Sequence, residues 1–425
     1  MAKLVRRRWR SELASGLPRR DRASCDYETY VPDLLVGRAI VLHGEVAADV
    51  ADAETAIARF DAGAKALADT EALARLLLRA ESVASSRIEG LEVGGRRLLH
   101  AEAAQVLGDE ANDVTAVEVL GNIQAMSLAL LAVGPGDDIT LDTLLEAHRR
   151  LLAGTHHEDI GGHIREEQNW IGGSSYNPCS AAFIPPPPEE VAGLLDDLCA
   201  FCNSDWLPAI TQAALAHAQF ETIHPFADGN GRIGRALIHL VLRRRGLALR
   251  VLPPVSLVLA TWSRDYIAGL TATRYLGSPT SEQAVEGLNR WVELFATVYR
   301  RAVADAEVFE DRVGRLQEQW RARLGSVRRG SATDLLVGAL PGAPIVTVTG
   351  AAELIGRTFQ ATNQAIARLV ATGILRQVNV GHRNRAFEAP ALIRQFTDLE
   401  RRLASPAGNT RSAKPARRVP RQVSR

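Results

Sequence analysis

The chain has 425 residues, 46% of them hydrophobic and 23% charged, with a formal net charge of +1. Such a balance belongs to a globular protein long enough for two or three domains, and it excludes a disordered polyelectrolyte or a binder working through overall charge. No apolar run approaches the ~20 residues of a membrane span, and no apolar signal segment follows the basic start Met1–Arg10, so a cytoplasmic protein without a membrane partner is expected. Four cysteines (25, 179, 199 and 202) give no expectation of a disulfide framework. Richness in Ala, Arg and Leu with few Lys suggests a GC-rich bacterial genome, which is a bias and not a function.

Residues 1–25 hold six arginines in the first twenty positions and little core-forming periodicity, and they read as a basic disordered segment. Residues 26–95 read as a helical extension, closing on a helix from Glu71 to Glu89 that Gly90 can cap. Ser85 and Glu89 are four apart there and share a face. Residues 96–301 form the main helical core. Thr140 is a plausible cap before Leu141, and Pro188 with Glu189 and Glu190 is a helix start. Cys199 and Cys202 sit in an apolar helical stretch and read as core rather than metal ligands. Ala209 to Ile223 reads as a helix that Pro225 helps to end, and Arg232 to Arg244 as the next one. Trp291 to Leu324 is a long amphipathic pattern, of which 302–330 could link domains or pair with a second chain.

Residues 331–395 read as a separate module. A short helix from Ala351, a turn at Gly356, a second helix from Gln360 to Thr372 and two strands around Gly381–Arg385 resemble a winged helix-turn-helix. With DNA as partner, Gln360, Asn363 and Gln364 would face the groove, and Arg383 and Arg385 would lie on the wing. A protein-contact or homodimer module is the other reading, because the second helix has one Arg and no Lys to neutralise phosphate. The tail, 401–425, has no acidic residue and reads as a basic disordered end.

The chemistry concentrates in His224-Pro-Phe-Ala-Asp228-Gly229-Asn230-Gly231-Arg232-Ile233-Gly234-Arg235. A tight Gly-Asn-Gly loop at a helix start offers unpaired amides and the positive dipole end to an anion. Asp228 suits a hard cation shared with phosphate oxygens. Arg232 and Arg235 can fork onto phosphate. His224, with an unperturbed pKa of about 6.5, can take a proton from a hydroxyl. Gly229, Gly231 and Gly234 also spell the dinucleotide fingerprint, but a helix precedes them and no acid lies between Leu247 and Ala260, so that reading fails on context.

This segment resembles the Fic family motif, H-x-F-x-(D/E)-G-N-G-R-x-x-R, at every fixed position. Ser85-Ser-Arg-Ile-Glu89-Gly90 is similar to the family's inhibitory motif, (S/T)-x-x-x-E-(G/N). The resemblance implies a mainly α fold: a helical Fic core with a small β-hairpin flap, an N-terminal helical extension and the C-terminal winged module. It also implies an autoinhibited protein adenylyltransferase using ATP and Mg2+. His224 would deprotonate a Ser, Thr or Tyr hydroxyl of an unknown target protein, AMP would be transferred and pyrophosphate would leave. Asp228 would hold Mg2+. Gly229, Asn230, Gly231, Arg232, Ile233, Gly234 and Arg235 would line the phosphate site, and Glu89, with Ser85, would pair with Arg235 where the γ-phosphate belongs. By the same resemblance, Gln168–Gly173 and Ala182–Glu190, with Phe183 and Ile184, form the flap that positions the target, and Tyr266 lies near the adenine. Two alternatives share these residues: a hydrolase that removes AMP, and a nucleotide-sensing DNA-binding regulator.

Overall fold

The computed structural model describes residues 1–11, 18–63, 70–106, 113–380 and 384–403. The chain is mostly helical, with two small antiparallel sheets flanking the helical core. The first sheet pairs β1 (Lys3–Trp9) with β2 (Cys25–Val31), Lys3 opposite Val31 and Trp9 opposite Cys25. Then come α1 (Gly44–Gly63), α2 (Thr70–Ile88), α3 (Gly95–Val106), α4 (Val114–Ala132) and α5 (Leu141–Leu152). Next are α6 (Pro188–Cys202), α7 (Ala209–Ile223), α8 (Asn230–Arg244), α9 (Val255–Thr261), α10 (Ser263–Ala272) and α11 (Glu282–Leu324). The C-terminal unit comprises α12 (Ala332–Ala339), β3 (Ile345–Val346), α13 (Val348–Ile355), α14 (Phe359–Ala371), β4 (Arg376–Val380), β5 (Asn384–Glu388) and α15 (Pro390–Leu403).

Every residue of α7 is buried, so this helix is the axis of the core. α8 packs along it, and α1, α6 and α11 close around the pair. Local caps set several boundaries. Thr140 and Thr143 form a reciprocal capping box at α5, and Pro188 occupies the first turn of α6. Gly90, at φ 82°, follows the end of α2, where Leu91 N donates to Ser86 O. The 43 residues of α11 extend about 65 Å at ~1.5 Å per residue and carry the core into the C-terminal unit without a break, through the segment expected to be a linker. In that unit β3 comes before α13, a left-handed Gly356 and α14, and β4 and β5 follow them to complete a sheet in the order β3-β5-β4. The tip residues Gly381, His382 and Arg383 lie outside the described residues, as do 404–425.

Three expectations are corrected. The first is the disordered N-terminus: Lys3–Trp9 is a strand. Its partner strand and its docking surface are distant in sequence, with Trp9 edge-on to Trp170 at 5.4 Å, so arginine content alone misled. The second concerns cysteine: Cys25 and Cys179 form a disulfide across a sequence separation of 154 residues, a spacing that carries no signal. The third is the absence of any long apolar segment. By length and composition α4 qualifies as a span, yet 44% of it is buried inside the protein, against α2, α3, α5 and α8.

The disulfide ties the N-terminal sheet to the loop 174–180, where Ser174 Oγ donates to Asp21 and Asn177 Nδ2 to Arg20 O. We expect Cys25→Ser to destabilise the oxidised protein by about 2–4 kcal/mol. Thermal melts with and without reductant check this, since the wild type should fall to the variant's midpoint only when reduced.

Candidate active site

The loop 224–229 joins the two central helices. His224 ends α7 in the left-handed region (φ 50°, ψ 60°), uncommon for a residue with a Cβ. Pro225 cannot continue the helix. Asn230 then closes the loop on itself: its Oδ1 accepts from Phe226 N and its Nδ2 donates to Phe226 O, both at 2.8 Å. Gly229, at φ 78°, precedes α8, whose first amides have no helical acceptors.

The loop is also braced from α5. Gly162 N donates to His148 Nδ1 at 3.0 Å, so the ring proton sits on Nε2 and is donated to Asp228 O at 3.0 Å. The same ring stacks on Phe226 at 3.8 Å and 6°. Burial, partly offset by the Asp228 carbonyl, lowers His148 to about 4 and keeps it a neutral donor.

The charged residues divide by depth. Asp228 is 46% exposed and pairs with buried Arg232 at 3.0 Å. Arg235 is 1% exposed, with Nε donating to Ser85 Oγ and Nη2 to Ser85 O, each at 2.8 Å. Nη2 also meets Glu89 Oε1 at 2.7 Å. Burial alone would lower the pKa of Arg235, but Glu89, Tyr266 and Glu221 outweigh it and hold it above the ordinary arginine value. One turn further along α8, His239 Nε2 lies 2.9 Å from Glu81 Oε1, and Glu81 also accepts from Ser256 N. Glu81 and Ser85 on α2 and Glu89 just past its end recur every four residues, and Arg235 and His239 are four apart on α8, so the helices meet through a polar ladder.

Gly231 makes room for this arrangement. A Cβ there would come within 2.0 Å of Glu89 Oε1 and 2.9 Å of Arg235 Nη1. The carboxylate therefore seats on the first turn of α8, where an incoming anion would find its amides.

His224 is drawn down to about 4 by burial and then by the charge of Arg165, with Glu89 opposing. An imidazole so lowered is a neutral proton acceptor throughout the neutral range. Glu221, on α7, is pushed up to about 7 by burial against the pull of Arg235. Tyr266 is buried, with its hydroxyl 2.8 Å from His217 Nε2 and its ring against Trp291. The structure thus places it in the core behind Arg235.

The expected flap is reduced to one bridge, Ile171 to Phe183. Gly172 and Gly173 both take positive φ, and the prolines from Pro185 onward have no N–H with which to extend a ladder. Phe183 stacks under the Arg274 guanidinium at 3.4 Å, Ile184 O accepts from Tyr30 N, and Tyr176 is exposed. Sequence reasoning missed His148, Arg165, Glu221 and Arg274, and had Asn169 only as part of the flap. Only Glu221 had a readable signal, standing between His217 and His224 at helical spacing.

Residues 138–242 match the Fic/DOC family, and residues 47–131 match the Fic/DOC family N-terminal region. Over these two segments the chain is similar to the Fic/DOC family. The domain match contains the loop 224–229 and nearly all of α8, and the N-terminal match contains Ser85 and Glu89. The protein adenylyltransferase Fic of Drosophila melanogaster is 36% identical over 140 residues, 32% of this chain and 26% of that protein. The protein adenylyltransferase fic-1 of Caenorhabditis elegans is 35% identical over 133 residues, 31% of this chain and 23% of that one. This chain therefore spans about a quarter of the length of these curated relatives. The structure of a Fic family protein from Desulfovibrio desulfuricans G20 superimposes with a TM-score of 0.51 at 20% identity, over 83% of this chain and 98% of that one. That likeness shows a shared fold.

Proposed function

We propose that the protein is an autoinhibited protein adenylyltransferase, moving AMP from ATP to a Ser, Thr or Tyr hydroxyl of a target protein. The observation that carries this reading is the Glu89–Arg235 contact at 2.7 Å, seated on Gly231 at the mouth of the motif loop. A carboxylate there stands where an anionic phosphate tail would lie. The adenylyltransferase relatives support the reaction type.

In this reading His224 takes the proton of the target hydroxyl. The freed oxygen attacks the α-phosphorus, the bond to the bridging oxygen breaks, and pyrophosphate leaves. The amides of Gly229, Asn230 and Gly231 cradle the phosphates, with Ile233 and Gly234 continuing the turn, and Arg235 receives the γ-phosphate once Glu89 withdraws. Arg232 holds Asp228 in place. The donors fit Mg2+ held jointly with phosphate: Asp228 is half-exposed at the loop, and among the described residues no three His, Cys, Asp or Glu cluster into a protein-only cage. Bound there, the ion would offset phosphate charge. Phe183 and Ile184 of the flap would guide the target segment, and Tyr266 would support Arg235 and the nucleotide side of the pocket from behind.

Intact-mass spectrometry after incubation with ATP and Mg2+ tests the reading. An added AMP on a hydroxyl residue of the protein or of an added target supports it, whereas an added phosphate would replace it by a different transferred group. The reverse reaction, removal of AMP, uses the same residues; the 36% exposure of Glu89 leaves it room to orient a water. Loss of AMP from a modified protein only when Glu89 is intact would favour that reading.

For the C-terminal unit we infer contacts within the chain or with a second copy rather than with DNA. Gln360, Asn363 and Gln364 are exposed on α14, and Arg385 on β5, as a groove-reading helix and a wing would require. But Arg368, the one arginine of α14, turns its Nη2 to Leu324 O and Ser326 O at the end of α11. Salt-dependent binding of the full chain to duplex DNA would reverse this inference.

A further inference from the structure

Arg165 is 6% exposed, and among the described residues no carboxylate pairs with it directly, Glu189 being held by Arg7 and acting on it only at longer range. A buried cation without a counter-ion is costly unless its donors are all used. Here they are spent on main-chain carbonyls. Nε donates to His224 O at 2.9 Å, Nη1 to Glu167 O at 3.0 Å, and Nη2 to Pro186 O at 2.5 Å, with Ile223 O at 3.4 Å. Its own amide donates to Pro225 O at 2.9 Å.

We propose that Arg165 is the positioning residue for His224, one guanidinium fixing the backbone of that histidine and both arms of the flap. The inference rests on the reading of His224 as the base. Ile223 and His224 end α7, where carbonyls lack helical partners and a cation is favoured. The left-handed conformation of His224 is strained for a residue with a Cβ and persists only where its surroundings over-determine it. Arg165 and Asn169 supply that: Asn169 Nδ2 donates to both His224 O and Phe226 O. Glu167 and Pro186 lie at the roots of the two flap segments, so the guanidinium that seats the imidazole also sets the flap. A target segment that shifts the flap would therefore act directly on the base.

The charge of Arg165 has a second effect. The groups that bear on His224 are Arg165 and Arg274, which oppose its protonation, and Glu89 and the Glu221 carbonyl, which favour it. Arg165 thus helps keep the ring neutral, a task lysine can share, whereas the four-carbonyl grip needs the planar fork.

The test is histidine NMR on the full chain, with the His224 resonance assigned by its loss in His224→Ala. In a titration from pH 8 down to about 3.5 that resonance should protonate at about the same low pH in the wild type and in Arg165→Lys, and at a higher pH in Arg165→Gln, burial still holding it below the ordinary histidine value. Arg165→Lys, made in a Glu89→Gly background, should lose at least ~10-fold in kcat with little change in the KM for ATP. Its amides from Gln168 to Phe183 should also exchange faster with solvent. An unmoved titration in Arg165→Gln, or unchanged kcat and exchange in Arg165→Lys, overturns the inference. Should Arg165→Gln fail to fold, the lysine variant decides alone. If Glu89→Gly itself transfers nothing, the function proposed above fails, and the titration and exchange data still decide the positioning role.

Discussion

Replacing Glu89 by Gly should raise protein labelling from ATP carrying label on its α-phosphate, by roughly tenfold or more over wild type. The argument is local. Glu89 gives Arg235 one charged hydrogen bond at 2.7 Å, and its side chain is 36% exposed, so solvent screens part of the interaction. A contact of this kind is worth about 1.5 kcal/mol at the lower end, which corresponds to about a tenfold shift. Steric exclusion adds to that figure, because the carboxylate fills the space beside Gly231 at the first turn of α8. Arg235 should stay in place without Glu89, since Ser85 holds its Nε and Nη2 independently. Label on the γ-phosphate should not transfer in the same variant. No gain from Glu89→Gly, with ATP bound equally by both proteins, would remove Glu89 as the brake.

Adding His224→Ala to that variant should abolish labelling, a loss of ~100- to 10,000-fold, the range a general base supplies. ATP binding should survive, because the phosphate loop is held by His148 and Asn230 and not by His224. The pH profile sharpens the point. A base lowered to about 4 stays deprotonated as pH falls and is lost only near that value. Removing Glu89 also takes away a group that favours the protonated ring. Transfer by Glu89→Gly should therefore remain nearly flat from pH 7.5 to about 5.5, where an ordinary histidine would be about 90% protonated. A fall in rate centred near 6.5 would show that the base is solvated or is another group.

How much of this was legible depends on the distance between partners. Helix boundaries set by adjacent residues, such as Thr140 before α5 and Pro188 at α6, were readable from local chemistry. So was the motif loop, whose parts lie within twelve positions. The pairing of Glu89 with Arg235 spans 146 residues and came only through the family's inhibitory motif. His148, Arg165 and Asn169 act on backbone carbonyls, and a side chain that serves a carbonyl leaves no pattern of complementary residue types. The N-terminal strand was hidden for a related reason: its partner is β2 and its cover is Trp170, while three of its own seven residues are arginine. In the flap, the prolines that marked the helix start also prevented the hairpin expected around them.

The C-terminal unit touches more than the end of α11. Its turn at Leu340–Gly342 lies against α2: a Cβ on Gly342 would fall 2.9 Å from Ala72 Cα and 2.7 Å from Arg75 Nε. The helix that presents Glu89 is thus gripped near its start by residues more than 250 positions later in the chain. During synthesis the catalytic loop emerges from the ribosome well before Gly342 does. A nascent or truncated chain would therefore carry the whole loop 224–229 with Glu89 on a helix not yet fastened at its start, and on the proposed function a fragment ending near Leu324 should be less inhibited than the full chain.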